Sequence, residues 1–301
     1  LISIAMKRKY ILGILNQMEL LDRSLNISSI TYKKTKQYLI IILVGTSIPL
    51  VIFFCHEAYL WKCRVSLLYE FICRISDTVS VIMILQFCFI AMYFKNRLKE
   101  LNNALSLALN KERSVTSLKS SNILFLSGTL NPETKKQLEE LECDAILKCR
   151  EIYGSIYRLS SAVIEVYGMP LMSQMISIFI DILCSLHSAI MFPMNNKNHV
   201  SYMPSLMGWS LFAVVKIIII TLTPEMALRE TKNLSDQIQE KLLTRYLQIE
   251  YHDQLQLFSA QLKSCKVRFS AAGMCFLDLN QLYRFLAGVS TYLLVLVQLG
   301  H

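Results

Sequence analysis

The amino-acid sequence predicts an all-α polytopic membrane protein, a helical bundle with cytosolic helical extensions and an extracellular C-terminus. Of its 301 residues, 53% are apolar and only 18% are charged, against roughly 45–50% and roughly 25% in soluble domains. The apolar residues cluster in five blocks, and a helix needs roughly 20 such residues to cross a hydrocarbon core. The basic residues are concentrated in alternate connections between these blocks, as membrane topology requires.

The five predicted spans are distributed over three regions of the chain. These regions are 38–94 with two spans, 162–224 with two spans, and 282–301 with one. The individual spans in the first two regions are 38–54, 70–94, 162–192 and 204–224. A chain that begins with Leu1 instead of Met suggests that an upstream part is missing.

Orientation follows from the Lys and Arg residues of the connections. Residues 1–37, 95–161 and 225–281 carry seven, eleven and seven of them, whereas 58–69 and 193–204 carry two and one. Because the basic connections of a membrane protein face the cytosol, the N-terminal segment lies inside and the C-terminus outside. The net charge of +9 is then explained by topology, and no nucleic-acid partner is expected.

The three cytosolic segments are predicted to be helical. Residues 1–37 form a linker helix, 95–161 a helical linker and 225–281 a set of anchor helices. Pro132 follows an N-cap residue and precedes an acid, which is typical of a helix start. No stop signal occurs before Ala162, so this helix is expected to continue into the third span. The serine-rich stretch 112–130 is predicted to be a loop.

No catalytic or metal-binding pattern occurs in the sequence. Hydrolase, kinase and dehydrogenase signatures are absent, so the chain is not expected to be an enzyme. The nine cysteines include no C-x-x-C pair and the five histidines are far apart, so neither a metal site, a disulfide framework nor a cofactor is expected.

Charges inside the spans are costly there and often mark function. Arg74 and Asp77 are three residues apart on one helix face, so they either line an extracellular pocket or neutralise each other. Asp181 lies in the outer half of the third span, where a carboxylate cannot reach far toward the headgroups. The long side chain of Lys216 in the fourth span is expected to extend to the cytosolic interface.

The last span carries a polar face. Arg284, Gly288, Thr291, Val295 and Gln298 follow one another at steps of four and three, so they share one side of a helix. Lipid does not tolerate such a face, which must contact protein or water. Copies of the helix around a symmetry axis would enclose a water path, or else Thr291 and Gln298 bond to helices of their own subunit. Both interpretations remain open at this point.

The C-terminal motifs resemble those of insect gustatory receptors. They are Phe258-Ser-Ala-Gln-Leu262, Lys266-Val-Arg-Phe-Ser-Ala-Ala-Gly273, Phe276-Leu-Asp278 and Thr291-Tyr292 followed five residues later by Gln298. The family places Phe after this Gln, whereas this chain has Leu299. Insect odorant receptors are similar in plan but share the terminal motif less closely.

The resemblance implies a seven-span protein, of which these are the last five spans, in the plasma membrane of sensory-neuron dendrites. It implies a tetrameric, ligand-gated, non-selective cation channel, in which the last helix of each gustatory receptor subunit lines the pore and the outer surface contacts membrane lipid. Gln298 and Leu299 would form the narrowest outer part of the pore, Val295 would line it, and Thr291 and Tyr292 would stabilise helix contacts below.

The resemblance also places a tastant pocket, for a sugar, a bitter compound or another small molecule, in the outer half of the bundle. The candidate pocket residues are Arg74, Asp77, Thr78, Phe179, Asp181, Ser185, Trp209 and Ser210. The alternatives are an odorant-receptor-type channel subunit, a G-protein-coupled receptor of inverse topology, and a secondary transporter coupled through Asp181 and Lys216.

Overall fold

The structure, a computed structural model, describes residues 8–25, 67–121, 132–195, 203–243 and 249–299, with the isolated helical positions 37, 40, 44, 51 and 55. In chain order the elements are α1 (Arg8–Leu25), α2 (Leu67–Ser121), α3 (Pro132–Asn195), α4 (Met203–Leu242), α5 (Ile249–Ser264), β1 (Ser270–Ala271), β2 (Cys275–Phe276) and α6 (Leu279–Leu299). The predicted all-α fold class is confirmed.

Three ranges of the described residues are long and apolar enough to cross a membrane. They are Asp77–Leu109, Cys143–Ile190 and Leu206–Leu242, which contain most of the second, third and fourth predicted spans. The first predicted span lies outside the described residues apart from isolated positions. The fifth corresponds to α6 (Leu279–Leu299), which is not among the three ranges.

Helix α3 is one continuous helix of 64 residues that begins at Pro132. Its start and its passage into the third span confirm the prediction from the proline and the missing stop signal. The loop predicted at 112–130 is wrong over its first part, since α2 continues to Ser121. Serine lowers helix propensity only slightly and does not end a helix as glycine or proline does, so α2 can continue through these serines.

The predicted fourth span ends near Pro224, but α4 continues through this proline to Leu242. Proline supplies no N–H to the carbonyl of Ile220 four residues earlier. The hydroxyl of Thr223 donates to the carbonyl of Ile219 at 2.8 Å, and that of Thr221 donates to the carbonyl of Ile217 at 2.9 Å. Such side-chain hydrogen bonds and neighbouring helices let membrane helices accommodate proline.

Helices α2, α3 and α4 pack against one another and form the centre of the bundle. The core of the bundle contains fully buried aromatic side chains, among them Phe87, Phe94 and Tyr153. A polar contact joins α2 to α4 further along, where the Asn102 amide donates to the carbonyl and the carboxylate of Glu230 at 2.9 and 3.0 Å. These contacts hold the long helices at a defined rotation about their axes.

A short β-hairpin connects α5 to α6, and its first strand is buried in the bundle. Ser270 pairs with Phe276 and Ala271 with Cys275, and the turn between them has positive φ at Ala272 (54°) and Gly273 (72°). Phe269 packs against Phe87 and Phe94 of α2, with ring centroids 5.9 and 5.5 Å apart. The hairpin therefore ties the start of α6 to the centre of the bundle.

Both sides of this connection have additional anchors. Upstream, the hydroxyl of Tyr153 on α3 donates to the carbonyl of Cys265 at 2.7 Å. Downstream, the Asp278 carboxylate accepts the backbone N–H of Gln281 at 2.8 Å, which is the contact of an N-cap residue. The direction of α6 is thus set by contacts immediately before its first turn.

Candidate functional site

The polar face of α6 lies at the surface of the chain. Arg284, Thr291, Val295 and Gln298 are exposed and Gly288 is half-buried. The opposite side of the helix, with Phe285 and Val289, is buried and packs against the rest of the bundle. Arg284, Thr291, Val295 and Gln298 therefore lie together on the exposed side of α6, whereas Gly288 borders the ring of Phe179 on α3.

The hydrogen bonds of this face stay within α6. The hydroxyl of Thr291 donates to the carbonyl of Ala287 at 3.0 Å, so it makes no bond to another helix in the described part of the chain. Tyr292 packs edge-on against Phe179 of α3 at a centroid distance of 5.8 Å. The side chain of Leu299 lies outside the described residues.

The predicted pocket residues divide between two sides of α3. Phe179 contacts Phe285 as well as Tyr292, and a Cβ at Gly288 would lie 3.5 Å from its ring. Phe179 thus supports the last helix, and it lies on the side of α3 opposite to Asp181. Two residues along a helix correspond to a rotation of roughly 200°, which explains the separation.

Asp181 belongs to a charged cluster formed by three helices. Its carboxylate accepts a hydrogen bond from Ser177 and interacts electrostatically with Asp77 of α2 and Lys216 of α4. Asp181 is exposed and Asp77 half-buried, while the Arg74 side chain lies outside the described residues. Asp77, Asp181 and Lys216 are thus near enough to influence one another electrostatically.

That third charge, Lys216, corrects the expectation from the sequence. Its side chain is only 4% exposed, and its ammonium lies 5.2 Å from the ring centroid of Phe212, one helical turn toward the predicted outer side. The ammonium therefore points toward the depth of Asp181 and not toward the cytosolic interface. An aromatic residue four positions before a lysine is a signal that makes this direction favourable.

The remaining candidates are distributed over α2, α3 and α4. Thr78 is exposed, Ser185 and Trp209 are half-buried, and the Trp209 ring packs against Phe212 at 6.0 Å. Buried Ser210 donates its hydroxyl to the carbonyl of Met207 at 2.9 Å. A polar contact that the sequence analysis missed joins Ser80 of α2 to Gln174 of α3 through a side-chain hydrogen bond.

The charged cluster is suited to orienting a small polar molecule. It combines carboxylates, an ammonium group, hydroxyls and nearby aromatic rings, which are the groups that fix and cover a ligand in protein pockets. In the described part of the chain, no three His, Cys, Asp or Glu side chains lie close enough together to hold a metal ion.

Comparisons with known proteins cover almost the whole chain. A family model described as "7tm Chemosensory receptor" matches residues 1–300. The insect olfactory receptor OR5 from Machilis hrabei is similar in structure, with a TM-score of 0.69 and 12% identity over 99% of this chain and 76% of that one. The same receptor in complex with eugenol gives a TM-score of 0.66 and 13% identity over 99% and 82%. At these identities the likeness shows the fold. No curated protein matches the sequence.

Proposed function

Since the chain belongs to the 7tm chemosensory receptor family, we propose that it is a gustatory receptor, one subunit of a tastant-gated, non-selective cation channel. Membership of the family makes it a multi-pass membrane receptor and not an enzyme. In the proposal, four subunits surround an axis lined by α6, in the plasma membrane of sensory-neuron dendrites. The subunits are identical or are different gustatory receptors.

The observation that carries this proposal is the exposed polar face of α6, together with the terminal Thr291-Tyr292-x5-Gln298 motif. An exposed face with Arg284, Thr291 and Gln298 is too polar for lipid. A closed cyclic assembly covers such a face and leaves a water-filled path at its axis. Val295 lies between the polar positions, and Leu299 supplies an apolar constriction that would gate by dewetting.

In the proposal, a tastant opens the pore from a binding site that is separate from the pore itself. A tastant in the charged cluster of Asp77, Asp181 and Lys216 would open the channel only to the extent that it binds the open state more tightly than the closed state. Phe179 gives α3 a direct contact with Tyr292 of α6. The helix that carries Asp181 is therefore also the helix that supports the proposed pore.

Leu299→Trp is expected to lower the evoked whole-cell current about tenfold or more, because the larger ring fills an apolar constriction. Gln298→Ala is expected to change the relative permeability to Na⁺ and Ca²⁺. The currents would be evoked in cells expressing the full-length protein by the most active compound of a panel of sugars and bitter alkaloids. Leu296→Trp is the matched control, since this exposed residue lies roughly a third of a turn away from the polar face. Unaltered current and permeability in both pore variants, at equal surface expression, reject the assigned pore.

Asp181→Asn is expected to raise the half-maximal concentration of the active compound about tenfold, because a hydrogen bond to a charged group contributes about 1.5–3 kcal/mol. The maximal current is expected to stay unchanged. Asp253→Asn on α5, an exposed position, removes the same charge elsewhere and should leave the concentration dependence unaltered. An equal shift in both variants contradicts the pocket assignment.

The odorant-receptor alternative has the same fold, and the ligand class separates it from the gustatory proposal. Eugenol, which the olfactory receptor OR5 binds in its complex, is a suitable volatile compound for the panel. Responses to sugars or bitter alkaloids without a response to eugenol support the gustatory assignment. No observation on the described residues favours the G-protein-coupled receptor or the transporter.

A further inference from the structure

A cavity of about 440 Å³ lies between α2 and α4, away from both the charged cluster and the polar face of α6. Its lining residues are Lys95, Met226, Arg229, Glu230, Lys232, Asn233 and Asp236. Three of these are cations and two are carboxylates, so the lining has a net charge of +1. From these residues we propose that the cavity binds a phosphate-bearing anion of the phosphorylated inositol type.

The cations of the cavity are largely available to a ligand. The ammonium of Lys95 donates to the thioether sulfur of Met226 at 3.5 Å, and sulfur is a weak acceptor. Lys232 is exposed and has no carboxylate within ion-pair distance in the described part of the chain. Arg229 contacts Glu225 through Nε alone, at 3.4 Å, which leaves its two terminal nitrogens free to bind oxygen.

One of the two carboxylates is already engaged by the protein. The Glu230 carboxylate accepts a hydrogen bond from the Asn102 amide at 3.0 Å, so it is held toward α2. Asp236 is exposed at the end of the cavity. The donors of Lys95, Arg229, Lys232 and Asn233 therefore outnumber the free acceptors, and a phosphate monoester carries the charge that would balance them.

The position of the cavity fits a headgroup at the membrane surface. Lys95 directly follows the predicted second span, 70–94, and Met226 follows the predicted end of the fourth, 204–224. Both ends are predicted to face the cytosol. Basic pockets between membrane helices on this side are suited to phosphorylated inositol lipids. A free inositol phosphate offers the same chemistry without acyl chains, so the experiment must separate these two sources.

Native mass spectrometry of the purified full chain in detergent tests the site independently of any channel current. The probes are dioctanoyl phosphatidylinositol bisphosphate, dioctanoyl phosphatidylcholine and inositol trisphosphate. We expect the bisphosphate lipid to bind in preference to phosphatidylcholine. The double variant Lys95→Gln with Lys232→Gln should weaken it roughly thirtyfold, since each cation near an anionic lipid contributes about fivefold.

Two further variants make the outcome specific. Lys263→Gln with Lys266→Gln removes the same charge from exposed positions on the same predicted side and should change binding less than about twofold. Lys95→Arg with Lys232→Arg should retain binding, which separates loss of charge from loss of fold. Inositol trisphosphate that binds as tightly as the lipid assigns the site to a soluble ligand, and weaker binding assigns it to the lipid. Equal losses in the two Gln pairs, or no phosphate binding in the unaltered chain, overturn the proposal.

Discussion

Gly168→Val is expected to prevent the chain from folding into a homogeneous, monodisperse protein. A Cβ at position 168 of α3 would lie 3.0 Å from the backbone nitrogen of Ala272 and 3.5 Å from the carbonyl oxygen of Ser270. These are backbone atoms of the first strand and the turn of the hairpin, so no flexible side chain can yield. Overpacking of this kind costs about 1–3 kcal/mol and occasionally more, and valine adds two methyl groups beyond the Cβ.

The hairpin cannot move without further losses. Its displacement would withdraw Phe269 from Phe87 and Phe94 and shift the start of α6, so both stability and assembly should fail together. Fluorescence-detected size exclusion before and after heating measures both. Gly13→Val on α1 is the matched control, because nothing lies within 4 Å of the added Cβ there. If Gly168→Val and Gly13→Val give equal profiles, the close approach of α3 and the hairpin is wrong.

Asp22→Ala is expected to lower the free energy of unfolding by about 2 kcal/mol. The Asp22 carboxylate accepts the Tyr93 hydroxyl at 2.6 Å and lies 2.7 Å from Nε of Arg97. The side chain of Arg97 is 7% exposed and that of Asp22 is 39% exposed. Removing one partner of a fully buried pair costs about 3–5 kcal/mol, and solvent near Asp22 reduces this value.

A second ion pair on the same helix provides the control. Arg23 and Glu19 of α1 are 2.8 Å apart, but their side chains are 74% and 64% exposed, so Glu19→Ala should cost at most about 0.5 kcal/mol. The double variant Asp22→Ala with Arg97→Leu should recover much of the loss, because no buried charge is then left alone. Thermal unfolding of the purified protein measures all three. Equal effects of Asp22→Ala and Glu19→Ala would show that α1 is not anchored through Arg97.

Local sequence signals predict a helix well where its start and length depend on residues of the helix itself. The start of α3 at Pro132 and its continuation into the third span depend on a cap, a proline and an uninterrupted helical pattern. The fourth span is predicted to end near Pro224, and the structure adds that the helix itself continues there, where hydroxyls of Thr221 and Thr223 bond to carbonyls of the preceding turn. Proline inside a helix removes a backbone hydrogen bond, and side-chain hydroxyls and neighbouring helices in a membrane bundle let the helix accommodate this loss.

The two candidate sites also differ in how far the sequence alone can predict them. The polar face from Arg284 to Gln298 was predictable because all its members belong to one helix. The charged cluster was not, since the direction of Lys216 depends on Phe212 and on helices far away in the chain. The resemblance places Phe179 in the same pocket as Asp181, although a rotation of roughly 200° per two residues separates them on one helix.

The sequence by itself determined that this chain is an all-α membrane protein with a polar face on its last helix, and the structure showed that this face is exposed. Spacing within a helix is set by its 3.6-residue period, so residues that share a face are known before any neighbour is placed. Only the tertiary structure decided that Lys216 joins Asp77 and Asp181, that Phe179 supports Tyr292, and that the hairpin meets Gly168. These contacts depend on the depth and rotation of one helix against another, which the packing of side chains from distant segments sets.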